Sequence, residues 1–188
     1  MVTGSQTTTA PTAHAERHTP LSLVALVGNP RPASRTYRLA LAVAEAIGSV
    51  VPGADVQPID LAAIPASAQS PKDGWSRQLD QVRAARLLVV ATPTYKASYT
   101  GLLKLFLDQF GGGELASVIA VPVTVAAAPG HLHAGETHLR PLLLEIGAQV
   151  PVPALAVLES QLDPPDAVVA GWLATAGPTL AALLGARP

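Results

Sequence analysis

Five times along this chain a strand-like run gives way to a stretch with helical spacing, and that alternation constrains the fold more than any other feature. The first run, Leu21-Ser22-Leu23-Val24-Ala25-Leu26-Val27, is apolar at all but one position and ends at Gly28. The third, Leu87-Leu88-Val89-Val90-Ala91, is apolar throughout. Unbroken apolar runs read as strands buried on both faces, whereas a sheet with one wet face would alternate. Strands are expected over Leu21–Val27, Ala54–Ile59, Leu87–Ala91, Ser117–Val123 and Val150–Leu158. The second belongs near an edge, because Pro58 cannot donate to a ladder.

Helices are expected over Tyr37–Ile47, Trp75–Arg83, Gly101–Phe110, Ala134–Ile146 and Ala167–Leu184. In the first, Leu39, Ala40, Val43 and Ile47 share one face. The run Gly111-Gly112-Gly113 is placed to cap the third. Pro141 kinks or restarts the fourth, and Pro178 interrupts the fifth. The pattern predicts an α/β domain over 21–188, with one five-stranded parallel sheet between two helical layers. In such a sheet ligands sit beyond the carboxyl ends of the strands, so the loops after the first, third and fourth strands matter most.

Composition narrows the chemistry. The absence of cysteine removes disulfides, thiol catalysis and cysteine-ligated metal centres. A net charge of −1 without a basic block argues against nucleic acid, and without an acidic block against a carrier that docks through negative charge. Only 13% of residues are charged against 49% hydrophobic, which favours a homodimer or homotetramer over a free monomer. Prolines, glycines and charges are expected to interrupt every membrane-length run. Residues 1–20, rich in Thr, Ala and Ser without an apolar core, read as a disordered tail on a cytoplasmic protein.

The loop after the first strand reads Gly28-Asn29-Pro30-Arg31-Pro32-Ala33-Ser34-Arg35-Thr36. It offers hydroxyl, amide and guanidinium donors just before a helix N-terminus, where the dipole favours an anion. It is neither a P-loop nor a dinucleotide fingerprint. The same residues also suit a plain N-cap, at Ser34 or Thr36, behind a proline-stiffened turn.

This Gly-x-x-Arg-x-x-Ser-x-Thr loop resembles the phosphate loop of NAD(P)H-dependent FMN reductases of the flavodoxin-like fold. The segment Ala91-Thr92-Pro93-Thr94-Tyr95-Lys96-Ala97-Ser98-Tyr99-Thr100-Gly101-Leu102-Leu103-Lys104 is similar to the corresponding stretch of the family's sulfonate-utilisation branch. The stretches His131-Leu132-His133-Ala134 and Leu139-Arg140-Pro141-Leu142 resemble its next helix. The likeness spans Leu21 to about Leu158.

The resemblance implies a flavodoxin-like three-layer sandwich binding FMN and NADPH or NADH. By it, Asn29, Arg31, Ser34 and Thr36 hold the FMN phosphate, Asn29 standing where the family commonly has serine. Pro93, Thr94, Tyr95 and Lys96 wrap the isoalloxazine, with Ser98 in the same segment. Phe106 reads as core, and Lys96 reaches either cofactor, neighbouring subunit or solvent. After the fourth strand the family has glycines beside the ring, whereas this chain has Ala126 and Ala127, whose methyl groups are expected to push the ring outward. His131, His133 and His138 are spaced for a helix start or an interface rather than a metal. Glu136 and Arg140 form an ordinary i, i+4 pair.

Hydride transfer between nicotinamide and flavin is cofactor chemistry, so binding residues and no catalytic side chain are nominated. The expected activity is FMN reduction, with FMNH2 supplied to a partner monooxygenase. Alternatives are an FMN-retaining quinone, azo or metal-ion reductase, a flavodoxin-type carrier, or an interaction protein that has lost flavin.

Overall fold

The computed structural model describes residues 21–51, 53–65 and 74–185. The expected tail, 1–20, lies outside them, as does most of the Ala62–Gly74 loop. Five strands, β1 (Leu21–Val27), β2 (Ala54–Asp60), β3 (Leu87–Pro93), β4 (Ile119–Ala126) and β5 (Leu155–Leu158), form one sheet in the order β2-β1-β3-β4-β5. Every pairing is parallel. The helices are α1 (Arg35–Val50), α2 (Ser76–Ala84), α3 (Gly101–Leu107), α4 (Arg140–Glu145) and α5 (Asp166–Gly185). This is the doubly wound, flavodoxin-like order.

The three inner strands, β1, β3 and β4, read as largely apolar runs because each serves two cores. Leu23, Ala25, Val27, Val89, Val121 and Val123 point to the layer of α1 and α5. Val24, Leu26, Leu88, Val90 and Ala120 point the other way, to Leu79, Leu103, Phe106 and Leu143 of α2, α3 and α4. Period-two alternation thus survives, with both faces buried. Trp75, just before α2, stacks edge-on to Phe106 at 5.3 Å, and Phe106 is core as expected. Pro58 does lie in the edge strand β2.

β5 begins later than expected, at Leu155 rather than Val150, and Pro122 supplies the reason. Ala120 donates its N–H to Gln149 O at 2.7 Å, so alternate N–H groups of β4 face β5. Pro122 holds the next such position and has no N–H. The chain leaves the sheet there, and the Arg140 guanidinium donates to Val150 O at 2.6 Å and Val152 O at 2.9 Å. Arg140 also lies 3.7 Å from Glu136, the expected pair.

Other boundaries differ too. β4 runs Ile119–Ala126, later than Ser117–Val123. α3 closes at Leu107 with Asp108 as its C-cap, so the glycine run is not its cap. The segment around His138 forms a π-helical turn, Gly135–Leu139, before α4 restarts at Arg140 with Pro141 in its first turn. α5 passes through Pro178 without interruption. The missing N–H would have served Ala174 O, and both residues are exposed, so that carbonyl is open to solvent. Contrary to expectation, α5 is therefore long and apolar enough, by length and composition alone, to cross a membrane. Here Val169, Ala176 and Leu180 seat it in the core shared with α1.

Candidate cofactor site

From β1 the chain moves to β2 on one side, then crosses to β3 on the other, which opens a crevice between the β1 and β3 loops. A cleft of about 270 Å³ lies there. Asn29, Arg31, Ser34, Thr36, Pro93 and Tyr95, six of the residues singled out from sequence, line it together. Pro32, Arg35, Val125 and Glu159 line it as well. Glu159 comes from beyond β5, with no local motif to mark it.

The β1 loop is held by its own polar groups. Asn29, 7% exposed, accepts the Arg31 N–H at Oδ1 (2.9 Å) and donates from Nδ2 to Thr36 Oγ1 (3.1 Å). Its amide is therefore chiefly a brace across the loop. Ser34 Oγ caps α1 by accepting the Tyr37 N–H at 3.2 Å. Ala33, at φ +50°, donates its N–H to Asp60 at 2.9 Å. A hydroxyl whose oxygen accepts an internal bond keeps its hydrogen to donate. Ser34 and Thr36 thus have their oxygens engaged within the loop and each keeps a hydroxyl hydrogen, and the N-cap reading holds at Ser34.

The turn after β3 uses a different device. Tyr95 and Ser98 exchange both backbone hydrogen bonds (2.8 and 3.2 Å) around Lys96 (φ +52°) and Ala97 (φ +64°). Two left-handed central residues make a type I′ hairpin, a turn that usually takes Asn-Gly. For L-residues each such φ costs on the order of 1–2 kcal/mol. Among the described residues Ala33, Lys96 and Ala97 are the only non-glycines at positive φ, and all three lie in the two loops bounding the cleft. Backbone strain gathers where a site is held in shape.

The turn leaves Tyr95 48% exposed at the rim, Lys96 in solvent and Ser98 half-buried. Thr94 is tied to β4, donating N–H and Oγ1 to Val125 O at 2.8 and 3.2 Å. Two threonines missed from sequence join the loops. Thr100 Oγ1 donates to Gly28 O and accepts the Leu103 N–H, while its own N–H goes to Thr92 Oγ1 at 3.2 Å.

At β4 the structure moves a boundary that matters. Ala126 is not in a loop: it is the last residue of the strand, fully buried and in register with Leu158. Ala127 is exposed. Neither lines the cleft, whereas Val125 does.

Residues 21–162 match the sequence profile of the NADPH-dependent FMN reductases. The chain belongs to that family. An FMN reductase (NADPH) of Pseudomonas aeruginosa is 35% identical over 133 residues, covering 65% of this chain and 69% of that protein. The NADH-dependent FMN reductase SfnF of Pseudomonas putida is 32% identical over 131 residues, with 65% and 69% covered. Among solved structures, the apo form of an NADH:FMN oxidoreductase (EMOB) superposes with a TM-score of 0.78 at 30% identity, covering 89% of this chain and 92% of that one. As a family member this FMN reductase takes reducing equivalents from NADPH or NADH and passes them to FMN.

Proposed function

We propose that the cleft between the β1 and β3 loops holds FMN by its phosphate, and that the reduced flavin then leaves for a flavin-dependent monooxygenase. The observation that carries the first half is the pair of preloaded hydroxyls, Ser34 and Thr36, beside Arg31 and Arg35 in one cleft at the sheet's switch point. Those groups suit a phosphate, supplying hydrogen-bond donors and positive charge at a helix N-terminus. Bound there, FMN supplies the hydride-accepting ring. The protein's own part is to fix the phosphate, shape the ring's seat with Pro93 and Tyr95, and leave a face open for nicotinamide. Lys96 and Ser98 belong to the hairpin that sets that seat.

Supply of reduced flavin to a monooxygenase is supported by the cleft's exposure and by the branch of relatives that the sequence resembles. A cytoplasmic location fits an enzyme drawing on the reduced nicotinamide pool. Self-association is supported by Leu105 on α3 and Leu144 on α4, 55% and 51% exposed. We assign a dimer or tetramer to that face, and sedimentation as a stable monomer at micromolar concentration would refute it.

The deciding experiment is a flavin titration followed by fluorescence. FMN is expected to bind far more tightly than riboflavin, and NAD(P)H oxidation is expected to depend on added FMN. Equal affinity for the two flavins would remove the phosphate assignment.

A further inference from the structure

One charge in the cleft has the wrong sign for a phosphate site. Glu159 lines it together with Arg31 and Arg35, and its Oε2 accepts from Arg35 Nη2 at 3.0 Å. The carboxylate is placed there by structure: Glu159 opens the 3₁₀ turn Glu159–Gln161 directly after β5. Gln161 Oε1 fastens that turn by accepting the Leu158 N–H at 2.9 Å. Arg35 opens α1, so the pair joins the last strand to the phosphate loop across 124 residues. One turn further along α1, Arg38 lies 3.7 Å from Asp163, a second link that needs no help from Glu159. The remaining carboxylate near the loop, Asp60, is engaged by the Ala33 and Ala62 N–H groups.

We propose that Glu159 is a built-in competitor for the phosphate: it holds Arg35 while the cleft lacks flavin, and its charge favours flavin release. This rests on the cleft being the phosphate site. A phosphate dianion entering beside Arg31 and Arg35 meets a third, negative neighbour, and Arg35 has to exchange one anion for another. Both members of the pair are nearly half exposed, so solvent screens the penalty and leaves it modest. A modest penalty suits a flavin that binds, is reduced and departs, whereas a retained prosthetic group gains nothing from a carboxylate beside its phosphate.

The test measures FMN and riboflavin affinity by fluorescence titration for the unaltered protein, Glu159→Gln, Arg35→Ala, and the two substitutions combined. Glu159→Gln is expected to tighten FMN about three- to tenfold, the scale of one screened charge at close range. Riboflavin affinity and the melting temperature without flavin should stay put, and FMN should dissociate more slowly. The gain should be smaller between Arg35→Ala and the double variant, because part of it comes from releasing Arg35. Unchanged or weaker FMN binding by Glu159→Gln would overturn the proposal and make the pair a brace. Loss of affinity for both flavins alike would overturn it too, placing Glu159 against the sugar-alcohol chain. If the unaltered protein fails to prefer FMN over riboflavin, the phosphate site itself falls and takes this inference with it. A preference that Glu159→Gln leaves untouched sinks only the inference.

Discussion

The loop after β1 and the turn after β3 face each other across one cleft, yet they keep their shapes by opposite means. The first is held by side chains: Asn29, Ser34 and Asp60 each take a backbone N–H, and Asn29 reaches on to Thr36. The second closes on itself through backbone, a two-residue hairpin with Lys96 and Ala97 in the left-handed region, and threonines tie only its two ends to their neighbours. In the first loop the Ser34 and Thr36 oxygens each accept a bond from within, and each hydroxyl still has its hydrogen to donate. The second loop needs only a rigid path. The two meet at Gly28, whose carbonyl accepts from Thr100.

Breaking that meeting point should have the largest effect. A Cβ at Gly28 would overlap the Leu103 Cβ and lie 3.0 Å from its Cγ, so Gly28→Ala forces β1 and α3 apart. We expect a loss of about 2–3 kcal/mol, read in a thermal melt as roughly 5–10 °C. An unchanged melting temperature would mean that α3 shifts freely.

Next in size is Arg31→Ala, which acts on the first loop's charge and not its framework. FMN should weaken by about 1.5–3 kcal/mol, with riboflavin affinity and melting temperature unchanged. Equal losses for both flavins would show that Arg31 shapes the loop instead of meeting the phosphate.

The third prediction concerns the strand beside both loops. Ala126→Gly with Ala127→Gly should lower stability by about 0.5–1 kcal/mol per residue, with FMN affinity unchanged. The reason is that Ala126 ends β4 in the core and neither alanine lines the cleft. Tighter FMN would return these methyl groups to the flavin's edge, as family resemblance alone suggested.

The smallest effect sharpens the contrast between the loops. Ala97→Gly relieves a left-handed alanine but frees the unfolded chain, so a net gain of only about 0.5 kcal/mol is expected. The same change at Ala33 should gain a similar amount, since the bond to Asp60 is made by the backbone N–H, which glycine keeps. Comparing the two melting curves tests whether strain or side-chain bonding dominates each loop.

How far the sequence could be read follows the same division. The first loop was legible because its chemistry is local: donors, caps and helix start lie within nine consecutive residues. β1 and the two-faced burial of the sheet were legible because apolar periodicity is a property of the strand itself. The Lys96-Ala97 hairpin left no signal in residue type, since neither residue favours positive φ. The late start of β5 could not be read from its own residues either. It follows from a missing N–H at Pro122 on the neighbouring strand, and its carbonyls turn instead to Arg140.

By itself, then, the sequence determined that five strands alternate with helices, that β1 and β3 are buried on two faces, and that Arg31, Ser34 and Thr36 stand together at a helix start. Only the tertiary structure decided that Asn29 braces the loop from which it lines the cleft, that Ala126 belongs to the sheet, and that Glu159 shares the cleft with Arg35. The physical reason is range. Helix and strand patterns arise between residues a few positions apart, whereas a carboxylate at the end of β5 meets an arginine at the start of α1 only after the sheet has assembled between them.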